Sequence, residues 1–138
     1  MNPISIRRLD HVVLRVRDLE AALRFWRDAL GCAVERSSDA LGLYQLRAGD
    51  SLIDLVPVDG PLGRLGGAAP GAEGRNVDHV ALTLAGFDEA AIRAHLDRHG
   101  IAPGDVAPRY GAEGTGPSMY VKDPDGNTVE LKGPPAAG

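Results

Sequence analysis

Two histidines and two carboxylates stand in matching company along this chain. Asp10-His11-Val12-Val13-Leu14 returns as Asp78-His79-Val80-Ala81-Leu82, and Leu52-Ile53-Asp54-Leu55 returns as Thr128-Val129-Glu130-Leu131. Imidazole nitrogens and carboxylate oxygens suit zinc, nickel, cobalt, manganese or ferrous iron. Four such ligands, His11, Asp54, His79 and Glu130, leave room on one divalent metal ion for two substrate oxygens or waters. The metal would act as a Lewis acid at a developing oxyanion. This is how a metal site between two copies of one unit looks in sequence.

The elements that must position these residues repeat as well. Glu20-Ala21-Ala22-Leu23-Arg24 lines up with Glu89-Ala90-Ala91-Ile92-Arg93, Gly31 with Gly100, and Tyr44 and Tyr120 keep the spacing of the two carboxylates. Each half reads βαβββ. In the first, a Val-rich strand over Leu9–Val16 leads to a helix capped by Asp18 and ended by Gly31. Strands follow near Cys32–Arg36, Leu41–Arg47 and Ser51–Val56, with Gly49-Asp50 as the last turn. In the second half the strand is Val77–Leu84 and the helix runs from cap Asp88 to Gly100. The remaining strands are expected near Ile101–Ala107, Ser118–Lys122 and Asn127–Lys132. The fold class is therefore α+β, with a first module over 1–56, a Gly/Pro-rich linker over 57–76 and a second module over 77–138. The stretch from Pro108 to Pro117 reads as a Gly-rich hairpin loop or a lid presenting Arg109 and Tyr110.

Strand alternation decides where the polar residues point. Val12, Leu14 and Val16 share one face, which leaves His11, Val13 and Arg15 on the other. The same parity sets Val80, Leu82 and Leu84 opposite His79, Ile53 and Leu55 opposite Asp54, and Val129 and Leu131 opposite Glu130. All four candidate ligands fall opposite the strongly apolar face, where a cleft is free to form.

Composition excludes several classes. The chain has 138 residues and a net charge of −4, with Arg and Lys scattered among more numerous Asp and Glu, so no basic run tracks nucleic acid. Cys32 is the only cysteine, which rules out an internal disulfide and a cysteine-based zinc site; it reads as a small buried apolar residue. No apolar stretch reaches membrane-spanning length and no signal-peptide core opens the chain, so a cytoplasmic protein with no membrane partner is expected.

The pattern LDHVVLRVRDLEAALRFWRDALG, the restart NVDHVALTL and the ending YVKDPDGNTVEL resemble the vicinal oxygen chelate superfamily. That group includes glyoxalase I, extradiol dioxygenases, methylmalonyl-CoA epimerase, fosfomycin-resistance enzymes and bleomycin-sequestering proteins. The resemblance covers nearly the whole chain. It implies two βαβββ modules forming a curved, incomplete barrel sheet with helices outside, around one divalent metal ion held at the positions of His11, Asp54, His79 and Glu130. It further implies a glyoxalase I-like lyase or isomerase acting on a small oxygenated or thiol-conjugated substrate through an enediolate, with Glu130 carrying the proton, and a homodimer.

Alternatives stay open at this point. Glyoxalase I usually has Glu where this chain has Asp54, one methylene shorter. Without Asp54, the set His11, His79 and Glu130 is the two-His, one-carboxylate arrangement expected of ferrous oxygenases. The chain's ending also resembles the tail of the extradiol signature, although Gly111, Ala112 and Glu113 occupy the place of its upstream histidine. A binding protein without chemistry is the other alternative. Substrate contacts are expected from Arg15, Arg109, Tyr110, Tyr120 and Lys122, of which Arg15 and Lys122 suit an anionic group.

Overall fold

The computed structural model describes residues 2–135. It divides into two compact units that meet between Ala69 and Pro70. In the first unit β1 (His11–Val16) leads into α1 (Leu19–Leu23), followed by β2 (Val34–Ser38), β3 (Leu43–Ala48) and β4 (Ser51–Pro57). In the second, β5 (His79–Thr83) leads into α2 (Glu89–Arg98), then β6 (Ala107–Gly111), β7 (Gly114–Lys122) and β8 (Thr128–Lys132). Each unit is a βαβββ module. Its four-stranded sheet is mixed, in the order β1-β4-β3-β2 or β5-β8-β7-β6, with the first pair parallel and the others antiparallel.

The helix starts follow the sequence. Asp18 accepts from the Ala21 amide at 3.1 Å and Asp88 from the Ala91 amide at 3.1 Å, each satisfying one of the free N–H groups of a first helical turn. Gly31 and Gly100 follow the helices with φ of +79° and +71°, a conformation only glycine adopts cheaply. The first helix widens after one turn, because Arg24–Ala29 is π-helical and the Leu30 amide bonds the Phe25 carbonyl at 3.0 Å. Ala22, Leu23, Phe25, Trp26 and Ala29 are buried along it, and α1 lies against β4. Cys32 is buried. None of the described helices is long and apolar enough to cross a membrane.

Two segments depart from the sequence expectation. Residues 101–106 form no strand; Pro103 lacks an N–H, and only the Gly104 amide reaches the sheet, at the Tyr120 carbonyl. The stretch Pro108–Pro117 instead belongs to the β6–β7 ladder, in which Pro108 faces Pro117 and Gly111 faces Gly114. Its glycines serve close approach. A Cβ on Gly116 would stand 2.7 Å from the carbonyl oxygens of Gly133 and Pro134, and one on Gly111 would stand 3.0 Å from Lys132 Cε.

The connecting stretch also carries local structure, with a 3₁₀ turn at Gly63–Gly66 and a bridge between Gly71 and Gly74. Arg15 ties down the turn. Its guanidinium donates to the carbonyls of Gly63 (2.9 and 3.2 Å), Gly67 (2.6 Å) and Ala68 (2.9 Å). A Cβ on Gly66 would collide with that guanidinium, and one on Gly63 with the Pro57 carbonyl.

Candidate metal-binding half-sites

Each unit builds the same half-site from its parallel strand pair. On β1 and β4, Val13 pairs with Asp54; on β5 and β8, Ala81 pairs with Glu130. The histidine therefore stands two residues before the carboxylate's partner in both, on the same face of the sheet. His11 and His79 are exposed, while Asp54 and Glu130 are buried at 2% and 6% exposure.

The aspartate before each histidine orients it. His11 Nδ1 lies 2.7 Å from Asp10 Oδ1 and His79 Nδ1 lies 2.7 Å from Asp78 Oδ1. A proton held on Nδ1 by the carboxylate leaves Nε2 as the free lone pair, the usual outer-shell arrangement for a ligating imidazole. The repeated Asp-His dipeptide of the sequence has this physical basis. In His11 the hydrogen bond to Asp10 pushes the ring's pKa up, with a smaller contribution from the charge of Asp54.

The carboxylates differ in what holds them. Glu130 Oε1 faces His79 Nε2 at 3.6 Å, and its Oε2 accepts a 3.0 Å hydrogen bond from the Ser118 hydroxyl. Asp54 Oδ2 accepts from Gln45 Nε2 at 3.2 Å, while its Oδ1 is buried with no hydrogen-bond partner among the described residues. An unsatisfied buried carboxylate oxygen is costly unless something positive meets it. Oxygen and imidazole donors of this kind fit a divalent first-row ion. Each unit offers two candidate ligands, and among the described residues no three His, Cys, Asp or Glu side chains are grouped to hold an ion.

The surroundings of Glu130 come from β6 and β7. Tyr120 is opposite Glu130 across the ladder, and its ring meets His79 edge-on with centroids 6.0 Å apart. Arg109 lies over the Tyr120 ring, 4.3 Å from its centroid, and donates to the Ser118 carbonyl at 2.7 Å and hydroxyl at 3.2 Å. Tyr110, on the opposite parity, is 84% exposed. Lys122 reaches the Thr128 hydroxyl at 3.3 Å from an exposed position, and the Arg15 guanidinium is engaged by the carbonyls named above. Opposite Asp54 stands Gln45, not Tyr44, which pairs with Leu55. The equal spacing of the two tyrosines is thus off by one, because a two-residue turn joins β3 to β4 and a longer one joins β7 to β8.

That longer turn fixes where β8 begins. Asp123 Oδ1 accepts from the amides of Asp125 (3.0 Å) and Asn127 (2.8 Å), and Oδ2 accepts from Asn127 Nδ2 at 2.8 Å. Burial still pushes the Asp123 carboxyl up, against those hydrogen bonds. Gly126 takes φ +82° beneath Arg75, which donates to the Asp125 carbonyl at 3.0 Å. Sequence reasoning missed Ser118 and Lys132. Both share the Glu130 face by ladder pairing, so strand parity applied to every polar residue would have found them.

Duplicated βαβββ units that each offer a histidine and a buried carboxylate from the parallel strand pair define a protein of the vicinal oxygen chelate class. The chain belongs to the Glyoxalase/Bleomycin resistance protein/Dioxygenase superfamily, whose family model matches residues 8–131. It is 26% identical over 131 residues to the virulence protein STM3117 of Salmonella typhimurium, covering 91% of this chain and 83% of that one. Among solved structures it is similar to an integron cassette protein of Vibrio cholerae, with a TM-score of 0.71, 26% identity, and coverage of 94% and 97% of the two chains. The fosfomycin resistance protein FosX of Mesorhizobium loti shares the fold, with a TM-score of 0.66, 20% identity, and coverage of 95% of each chain.

Proposed function

We propose that this chain is a metal-dependent lyase or isomerase of the glyoxalase type, acting on a small oxygenated or thiol-conjugated substrate. The observation that carries this reading is the identical placement of His11 with Asp54 and of His79 with Glu130 on the two parallel strand pairs, each carboxylate buried. His11, Asp54, His79 and Glu130 would hold one divalent ion, which would supply Lewis-acid stabilisation of negative charge on a substrate oxygen.

The chain's own residues do the rest. Asp10 and Asp78 hold Nδ1 of the imidazoles, leaving Nε2 on the far side of each ring from its aspartate. Ser118 holds Glu130 Oε2, so Oε1 is the oxygen that takes a proton from the substrate carbon and returns it. Tyr120, packed between Arg109 and His79, walls that position and limits water.

Metal analysis of the purified protein, followed by turnover of a hemithioacetal, tests the reading. His79→Ala is expected to lose most of the bound metal, and full occupancy in that variant would overturn the assignment. Protein that takes up small molecules yet never metal would be a binding module instead. The proposed assembly is a homodimer, checked by light scattering. Mixing His11→Ala with His79→Ala chains regains an intact site only where one site draws on both subunits.

A further inference from the structure

Lys132 is one of only two lysines in the chain, which otherwise uses arginine for positive charge. It lies two residues beyond Glu130 on β8, hence on the same face, about 7 Å further along the strand. Its pairing partners are Ser118 on β7 and Thr83 on β5. The residue is only 6% exposed, and its stem packs over Gly111, where even a Cβ would crowd it. No acid answers it. Among the described residues Lys132 Nζ has neither a hydrogen bond nor an ion pair, yet it is not one of the sealed, partnerless polar atoms, so the ammonium keeps access to solvent. Glu130 has its two oxygens directed at Ser118 and His79. Of the other cations on this face, Arg109 is held by Ser118 and Tyr120, and Lys122 donates to the Thr128 hydroxyl.

A mostly buried lysine whose ammonium has no counter-charge from the described residues keeps its charge available, and solvent access at Nζ lets an anion from outside meet it. We propose that Lys132 forms an anion subsite on the second unit that takes an anionic oxygen group of the substrate, a carboxylate or a tetrahedral phosphate-like oxyanion. The inference rests on the proposed function in taking Glu130 as the proton carrier: the anchored group would hold the reacting carbon one strand pleat from Glu130. The first unit has no such subsite, since the residue two beyond Asp54 is Val56.

The test titrates inorganic phosphate, and acetate in a parallel arm, into the full-length protein at constant ionic strength, with bound metal measured on the same samples. Saturable binding is expected in the wild type, unchanged by Arg98→Gln on α2, kept within about threefold by Lys132→Arg, and weakened at least about tenfold by Lys132→Met. The anion bound more tightly names the group the subsite takes. Absence of saturable binding in the wild type, or equal binding by Lys132→Met, overturns the inference whatever the metal content. Binding lost in Lys132→Met from protein that never held metal would sustain the subsite while the metal reading falls. A second measurement needs no variant. Phosphate should slow acylation of Lys132 and not of exposed Lys122, read by mass spectrometry, and an unchanged rate at Lys132 again overturns it.

Discussion

The two units share one topology and bury different things. The first encloses hydrocarbon, with Leu14, Val16, Trp26, Leu46 and Leu55 all at 0% exposure and Asp54 as its only buried charged side chain among the described residues. The second has a thinner apolar core, with Leu96 as the only buried residue of α2, and encloses Ser118, Asp123, Asp125, Asn127, Glu130 and Lys132. Apolar burial stabilises a fold, whereas enclosed polar groups need partners and fix positions. Duplication has left one copy weighted toward apolar burial and the other toward enclosed polar groups.

The sharpest break of that contrast is a truncation in the first core. Trp26→Ala should destabilise the protein by about 3–5 kcal/mol, the usual cost of emptying a large aromatic site. Urea unfolding measures it, and a loss under about 1 kcal/mol would show that the first unit's core is not the main support. Next in size, Glu130→Gln should lower turnover by ~10² or more if Glu130 carries the proton, while Asp54→Asn retains metal and most activity. Near-wild-type turnover by Glu130→Gln would reverse the roles of the halves.

Smaller effects sharpen the comparison at the residues holding each carboxylate. Ser118→Ala should lower kcat about tenfold with metal retained, because Glu130 loses the bond that aims it. Gln45→Ala, its counterpart beside Asp54, should leave both metal content and kcat nearly unchanged, as Asp54→Asn does. Steady-state kinetics with metal analysis separates the two, and matching profiles would mean that the carboxylates share one role. The smallest effect is electrostatic. His11 should titrate above the ordinary imidazole value near 6.5 in metal-free protein, and Asp10→Asn should bring it back toward that value, as followed by NMR. Because the folded pKa is raised, the stabilisation from this pair is complete below the unfolded value and fades as pH rises through the folded one.

Most of the fold was legible because it depends on short-range rules. Alternation placed β1, β4, β5 and β8, and Asp18, Asp88, Gly31 and Gly100 marked the helix ends where the structure has them. The β6–β7 ladder was not legible, since Gly111 and Gly116 look like flexibility in sequence and act as clearance for chain far away. The histidines and carboxylates stood out by repetition. Ser118 and Lys132 have no repeated partner, and the engagement of Arg15 with backbone carbonyls leaves no trace in residue types at all.

That engagement of Arg15 matters for the lifetime of the protein as well as its shape. A protease must draw several residues of backbone into its own groove, and a stretch of Gly, Ala and Leu on the surface would ordinarily offer them readily. Here the carbonyls of Gly63, Gly67 and Ala68 are already committed to one guanidinium. Nicking within 63–68 then waits on a local opening that must first release Arg15, so the durability of the segment is set by the rate of that opening rather than by its composition.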